Sequence, residues 1–168
     1  MKQRNWNEWL RSHVNEILPE IGIKENQTIL DFGCGSGLYA IPAARMVGKA
    51  GKVYALEKNA GALDKLKEKV KKEGLDNLEA ILSSDMNTGL EKETADVVLL
   101  YDVIHLIKDR KRLFSEIYRV LKPNGIVSVY PMHVEKDELI RQMGESHLPL
   151  KAEKYSGNIL NFGKEFWA

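Results

Sequence analysis

Two hydrophobic periodicities alternate along the chain. Short apolar runs occupy Thr28–Phe32, Lys52–Glu57, 78–83, 96–101 and 126–130, each with the length of a buried strand. Between them apolar residues recur every three to four positions, which predicts helices. Trp6, Trp9, Leu10, Val14, Ile17, Leu18 and Ile21 predict one helix ahead of the first strand. Asn5 with Glu8 reads as its capping box, and Pro19 should end or kink it. A helix to about Val47 follows the glycines after Phe32. Pro42 has no amide hydrogen and fits only near a helix start, which places that start near Leu38. The next helix is capped by Asn59, turns Leu63, Leu66 and Val70 inward, and stops at Gly74. Asn87-Thr88-Gly89 marks a turn. A helix holding Leu113, Ile117 and Leu121 ends at Pro123-Asn124-Gly125. The last stretch predicts a helix around Leu139, Ile140 and Met143, then weaker strands at 150–155 and Ile159–Phe162.

Strands that alternate with helices build βαβ units, hence an α/β doubly wound, mostly parallel sheet with helices on both faces. No repeat or low-complexity linker divides the chain, so residues 1–168 read as one domain: an N-terminal helix within 1–24 and a core over 25–168. Ligands of such sheets bind beyond the C-terminal strand ends, which is where the chemistry-bearing residues should lie.

Composition changes this picture little. A chain of 168 residues can bury roughly 70% of its unfolded surface. With 43% hydrophobic and 29% charged residues, disorder is excluded as its general state. The net charge of +1 gives no overall attraction to nucleic acid or an anionic membrane. The single cysteine, Cys34, excludes an intramolecular disulfide and a thiolate zinc site. No signal-peptide pattern opens the chain and no apolar stretch reaches bilayer length, so the expectation is a soluble, cytoplasmic protein without a membrane span.

The strongest chemical signal is Asp31-Phe32-Gly33-Cys34-Gly35-Ser36-Gly37, at a strand-to-helix turn. Glycines there allow a tight turn and close approach of a ligand to the backbone. The loop alone would suit any nucleotide. Asp31 narrows the choice, because a dinucleotide brings a pyrophosphate that a carboxylate repels. The glycine spacing is G-x-G-x-G, neither G-x-G-x-x-G nor the P-loop pattern. An acid beside such a loop suits a phosphate-free cation, and S-adenosylmethionine carries both an ammonium and a sulfonium. Opposite charges about 4 Å apart are worth about 4 kcal/mol at an effective dielectric of 20. Glu57 ends the second strand, twenty residues past Gly37, where an acid accepts from both ribose hydroxyls. Asp85 follows the third strand and is placed to accept from an adenine amine. One strand-end acid is ordinarily a cap or turn former; three in succession behind a glycine loop favour a nucleoside site.

These residues resemble the class I S-adenosylmethionine-dependent methyltransferases. The resemblance runs from about Thr28 to Met132. It rests on Ile29 to Gly37 for the first motif, Val53 to Glu57 for the acidic second strand, and Asp96-Val97-Val98 and Glu116 to Gly125 for later motifs. The subgroup most alike contains ubiquinone/menaquinone-type and related small-molecule methyltransferases. The resemblance implies a Rossmann-like seven-stranded sheet, with Ile159–Phe162 as its antiparallel edge strand. It implies that Asp31 and the loop of Gly33, Cys34, Gly35, Ser36 and Gly37 bind the methionine moiety. Glu57 would bind the ribose with Lys58 beside it, Asp85 and Met86 the adenine, and Tyr101 would line the cofactor near its methyl group. S-adenosylhomocysteine is then the product.

Methyl transfer needs alignment, and needs a base only for an acceptor that must lose a proton. Tyr101, Asp102 and His105 follow the fourth strand and are the catalytic candidates, with His105 as base or hydrogen-bond donor. Against this stands the plainer reading of His105 as a loop-fixing histidine. His133 is a weaker candidate of the same kind. Pyrimidine C5 methylation needs a thiol that reaches the substrate, whereas Cys34 lies in the cofactor loop, and arsenite methylation needs several thiols, so both are disfavoured. Tyr-Asp-Val-Ile at 101–104 lacks the nucleobase-amine signature, and Pro131-Met132 replaces a magnesium-holding Asp-Asn pair, so no metal is expected. The lysines at 65, 67, 69, 71 and 72 and the group Lys108, Arg110, Lys111 and Arg112 are interleaved with Glu68, Glu73 and Asp109. They read as solvated faces and argue against nucleic acid. After the fifth strand no stretch is long enough for a substrate lid, so the site is either open or completed by a second subunit in a homodimer. The expected function is methyl transfer to a small-molecule acceptor. Its rivals are a non-catalytic S-adenosylmethionine-binding sensor or partner subunit, and a nicotinamide-dinucleotide oxidoreductase.

Overall fold

The protein's structure, a computed structural model, describes residues 3–165. Seven strands among them form one sheet: β1 Thr28–Phe32, β2 Lys52–Glu57, β3 Leu78–Leu82, β4 Ala95–Tyr101, β5 Leu121–Tyr130, β6 Leu150–Lys154 and β7 Ile159–Phe162. Their order is β3-β2-β1-β4-β5-β7-β6. The first five are mutually parallel, and β7 runs antiparallel to both β5 and β6. The antiparallel strand thus sits one place inside the margin, which β6 closes. Six helices accompany the sheet: α1 Gln3–Ser12, α2 Val14–Glu20, α3 Ala40–Val47, α4 Ala60–Glu73, α5 Arg110–Val120 and α6 Lys136–Glu145.

Successive strand residues point to opposite faces. Ile29, Val53, Val97 and Leu99 therefore pack with the apolar residues of α1 to α4, while Leu30, Val98, Leu100 and Val127 pack with α5 and α6. Both faces are covered, which is why these strands read as continuous apolar runs. The strand order reverses between β1 and β4, and the crevice beyond their C-terminal ends is the switch point of the sheet.

Four local expectations are revised. The N-terminal helix is two helices, because His13 leaves helical geometry at φ −118° and its ring nitrogen Nδ1 lies 2.7 Å from the Trp9 carbonyl that a helical amide would otherwise use. Helix α1 begins by Gln3, so Asn5 and Glu8 lie inside it and form no capping box. Helix α3 starts two residues later than Leu38, with Pro42 in its first turn. Leu121 is not helical: it is extended at φ −75° and ψ 133° and pairs with Ala95. Lys122 precedes Pro123, which disfavours helical backbone there, so the helix ends early and the chain bulges out before Ile126 rejoins Val97. The Asn59 cap and the Gly74 stop are as expected: Asn59 accepts from the Ala62 amide and Gly74 adopts φ +66°.

Candidate functional site

The turn after β1 is built on three glycines with positive φ: Gly33 at +77°, Gly35 at +54° and Gly37 at +99°. At Gly37 the positive φ strains any side chain, and a Cβ would also fall 2.5 Å from Leu66 Cδ1, which would have to move. Gly33 is equally tight against Val103. Around Gly35 there is open space, and the backbone there is accessible to a ligand. Four of the loop amides already have partners. Gly33 and Cys34 donate to the Leu56 carbonyl, Gly37 donates to the Cys34 carbonyl, and Gly35 donates to Glu57 Oε2 at 2.8 Å. The second oxygen of Glu57 accepts from the Lys58 and Asn59 amides, both at 3.0 Å. Glu57 therefore ties β2 to the glycine loop as well as facing the crevice.

Asp31 is 2% exposed, and its Oδ2 has no hydrogen-bond partner among the described residues. Burial, followed by the charge of Glu57, pushes its carboxyl up to about 7. Tyr101, at the end of β4, is buried with its hydroxyl 2.8 Å from Ser128 Oγ, and burial holds its ionisation above the usual phenol range. Tyr39 meets Tyr101 edge-on, with ring centroids 4.9 Å apart. Its hydroxyl is pushed up by burial and by the charges of Asp31 and Asp102, while Arg11 pulls the opposite way. Burial likewise raises the thiol of Cys34, the single free cysteine, which disfavours its thiolate form.

These residues border a cavity of about 730 Å³, within the usual range for small-molecule sites. Of the residues singled out in sequence, Gly33, Cys34, Gly35, Ser36, Glu57, Lys58, Asp85, Met86, Tyr101 and Asp102 all lie on its wall. Asp31 and Gly37 are not on it, although their chain neighbours Phe32 and Ser36 are. Asp85 forms an Asx turn, its Oδ1 accepting from the Asn87 amide at 2.9 Å. Asp102, just past β4, holds a left-handed φ of +59°.

His105 is not on that wall. It lies in a short 3-10 turn, Ile104–Leu106, with its ring 5.3 Å from that of His133 and its Nδ1 buried without a partner among the described residues. Sequence reasoning missed several wall residues: Arg11 on α1, Leu38 and Tyr39 after the glycines, and Val103 and Ile107 after β4. Leu38 and Leu106, exposed by 41% and 58%, border the cavity with apolar surface. Lys69, read as part of a solvated face, also reaches the site, donating to the Ser36 carbonyl at 3.2 Å. No group of three or more residues suited to a metal occurs among the described residues. No helix among them is long and apolar enough to cross a membrane.

The comparisons with known proteins agree with this geometry. Residues 30–129, more than half of the chain, match the methyltransferase domain family. The chain is 35% identical over 112 residues to a demethylmenaquinone methyltransferase of Lactococcus lactis, covering 67% of this chain and 44% of that protein. To a 2-phytyl-1,4-naphtoquinone methyltransferase of Nostoc punctiforme it is 28% identical over 148 residues, 84% of this chain and 64% of that one. To an arsenite methyltransferase of Halobacterium salinarum it is 32% identical over 103 residues, 61% of this chain and 26% of that one. The chain thus spans between about a quarter and two thirds of these relatives. A solved SAM-dependent methyltransferase from Aquifex aeolicus superposes with a TM-score of 0.80 over 91% of this chain and 89% of that one, at 24% identity, which is a likeness of fold.

Proposed function

The chain belongs to the methyltransferase domain family, and from that premise we propose that it is an S-adenosylmethionine-dependent methyltransferase acting on a small-molecule acceptor. The observation that carries this reading is Asp31. A buried carboxyl with an unpartnered oxygen, beside a glycine turn open at Gly35, is the counter-charge of a cationic ligand. The pyrophosphate of a dinucleotide would meet Asp31 and Glu57 as like charges. The residues present therefore fit S-adenosylmethionine. When bound, that cofactor supplies an electrophilic methyl on a sulfonium and is left as the thioether S-adenosylhomocysteine.

The remaining roles fall to the wall residues. Glu57 and Lys58 face the ribose, and Asp85 with Met86 faces the adenine. Tyr39 and Tyr101 form the aromatic end toward the acceptor. Tyr101 orients but does not exchange protons, because its hydroxyl is tied to Ser128 and its ionisation is pushed up. His105 stands outside the wall and takes no part in the transfer. Asp102 is the acid at the acceptor end. Catalysis is then chiefly alignment, which suits acceptors that attack as an amine, a thiolate or a stabilised carbanion or phenolate. The apolar surface of Leu38 and Leu106 favours an acceptor with an apolar body. The quinone-directed names of two relatives point the same way. The single cysteine counts against the arsenite chemistry that a third relative's name indicates. The reading places the protein in the cytoplasm.

Calorimetric titration with S-adenosylmethionine, S-adenosylhomocysteine and NADH tests the proposal. Micromolar binding of the first two without NADH is expected. Binding of NADH alone would overturn it. A methyl-transfer screen over apolar-ring acceptors then separates an enzyme from a cofactor-binding subunit, and sedimentation of the loaded protein reads whether a homodimer closes the cavity.

A further inference from the structure

Two of the chain's four histidines have polar partners. His13 Nδ1 lies 2.7 Å from the Trp9 carbonyl, and His147 Nδ1 lies 3.5 Å from a Glu165 oxygen. The other two, His105 and His133, have no hydrogen bond or ion pair among the described residues, and their rings meet each other instead. The sheet brings them together. Strands β4 and β5 are parallel neighbours whose pairing ends in register at Tyr101 and Tyr130. The two segments therefore leave the sheet side by side, and His105 and His133 stand four and three residues beyond that last pair. Their ring centroids are 5.3 Å apart, with the planes at 72°. His105 Nδ1 is buried, whereas His133 is exposed in a turn that the Val134 amide closes on the Pro131 carbonyl, with φ +61°.

We propose that His105 and His133 form a two-imidazole site for a transition-metal dication of the Zn²⁺, Cu²⁺ and Ni²⁺ class. Three observations carry this. The spacing fits: two imidazoles bound to one tetrahedral ion at about 2.0–2.1 Å have ring centroids about 5 Å apart, close to the 5.3 Å found here. The orphan nitrogen fits as well. A buried ring nitrogen without a partner costs free energy that a bound ion restores, and His105 Nδ1 is such an atom. Finally, the ring nitrogens of this pair are uncommitted, whereas His13 and His147 each spend one on a neighbouring oxygen. Imidazole suits these ions, whereas Mg²⁺ takes oxygen ligands, so the missing Asp-Asn pair at Pro131-Met132 bears on magnesium alone. No group of three or more suited side chains occurs among the described residues, so the remaining positions of the ion belong to water or to a chelating small molecule. The site goes beyond the proposed methyl transfer and does not depend on it. It stands off the cavity wall, beyond the strand ends that carry Tyr101 and Tyr130, and an open position there accepts an oxygen donor from a small molecule.

The test is calorimetric titration of the metal-free full chain with Zn²⁺ and with Mg²⁺ at about pH 7.5, where an ordinary histidine is mostly neutral. Wild type is compared with His105→Asn, His133→Asn and, as a control, His147→Asn. Wild type should take up one Zn²⁺ with micromolar affinity and no Mg²⁺. Zn²⁺ binding should weaken about a hundredfold in H105N and in H133N and stay unchanged in H147N. The electron paramagnetic resonance spectrum of the Cu²⁺ form should show coupling to two imidazole nitrogens, and to one in either variant. His133 is exposed and asparagine tolerates left-handed backbone, so H133N should keep the wild-type unfolding midpoint and carries the test even if H105N folds poorly. No Zn²⁺ uptake by wild type would reduce the pair to a plain ring contact and overturn the site. Equal affinity in wild type and H133N, or loss in H147N, would place the ion elsewhere and overturn it too. None of these outcomes bears on S-adenosylmethionine binding, whose failure is read separately.

Discussion

Substituting Asp31 by Asn should stabilise the unliganded protein and abolish its use of the cofactor, and the size of the first effect follows from the structure. An unfolded aspartate ionises near 3.8, whereas burial and then the Glu57 charge push Asp31 up to about 7. Between these values the folded chain binds more protons than the unfolded one, so stability falls as pH rises. The penalty is absent below about pH 4, grows through the window and is complete above pH 7. At about 1.36 kcal/mol for each pH unit, its full size is about 4 kcal/mol. Because Asp31 is 2% exposed, solvent screening reduces this little. Urea unfolding of wild type and D31N at pH 4, 6 and 8 is the assay. The two curves should nearly coincide at pH 4, with D31N more stable by several kcal/mol at pH 8. The same carboxylate must ionise to hold a cation, so wild-type affinity for S-adenosylmethionine should fall about fivefold between pH 7 and pH 6, with about half a proton released on binding at pH 7 and close to one at pH 6. A stability difference independent of pH would refute the argument, because it would mean that Asp31 ionises in the folded state as it does in the unfolded one.

Glu116 behaves with the opposite sign. Hydrogen bonds from Arg119 and Thr88 hold its carboxyl down to about 2, so its stabilisation is present above pH 4.5 and is lost as pH falls toward 2. Glu116→Gln should cost about 1–2 kcal/mol at pH 7, given partial solvent access, and nothing near pH 2, as read from urea midpoints. Tyr101→Phe leaves the buried Ser128 hydroxyl without its partner and should cost about 1–2 kcal/mol, and an unchanged midpoint would show that the hydrogen bond is not formed. His105→Asn should leave both turnover and its pH profile unchanged, whereas a loss of about a hundredfold would restore the histidine as a base.

What was legible in the sequence was whatever depends on short-range chemistry. Strands β1 and β2 are bounded as predicted because their apolar runs stop at residues, Gly33 and Lys58, that a buried strand does not tolerate. The Asn59 cap and the Gly74 stop are local hydrogen-bond and φ requirements. The glycine turn and its acids were legible for the same reason: Asp31, Glu57 and Asp85 each end or follow a strand, and the parallel topology brings successive strand ends to one edge. The misplaced start of β5 came from counting Leu121 in the helical period, when the proline two residues later, acting on Lys122, outweighed that period.

His105 and Arg11 show where such reading stops. Both are polar residues next to apolar ones, and nothing in their neighbours in sequence says which way the side chain faces. For His105, three residues after Asp102, the intervening 3-10 turn rotates the ring off the wall and toward His133, so nearness in sequence to a strand end did not become nearness to the cavity. For Arg11 the reverse occurred. It shares a helix whose apolar stripe of Trp6, Leu10 and Val14 announces only burial, and that burial is what aims it. With Trp6 and Leu10 turned into the core and the break at His13 ending the helix one turn beyond, Arg11 is left at the edge between core and crevice. The same packing that made the N-terminal helix look merely structural is what delivers a guanidinium to the cavity. A helix outside the segment that matches the family can therefore border the cavity without carrying any motif of its own.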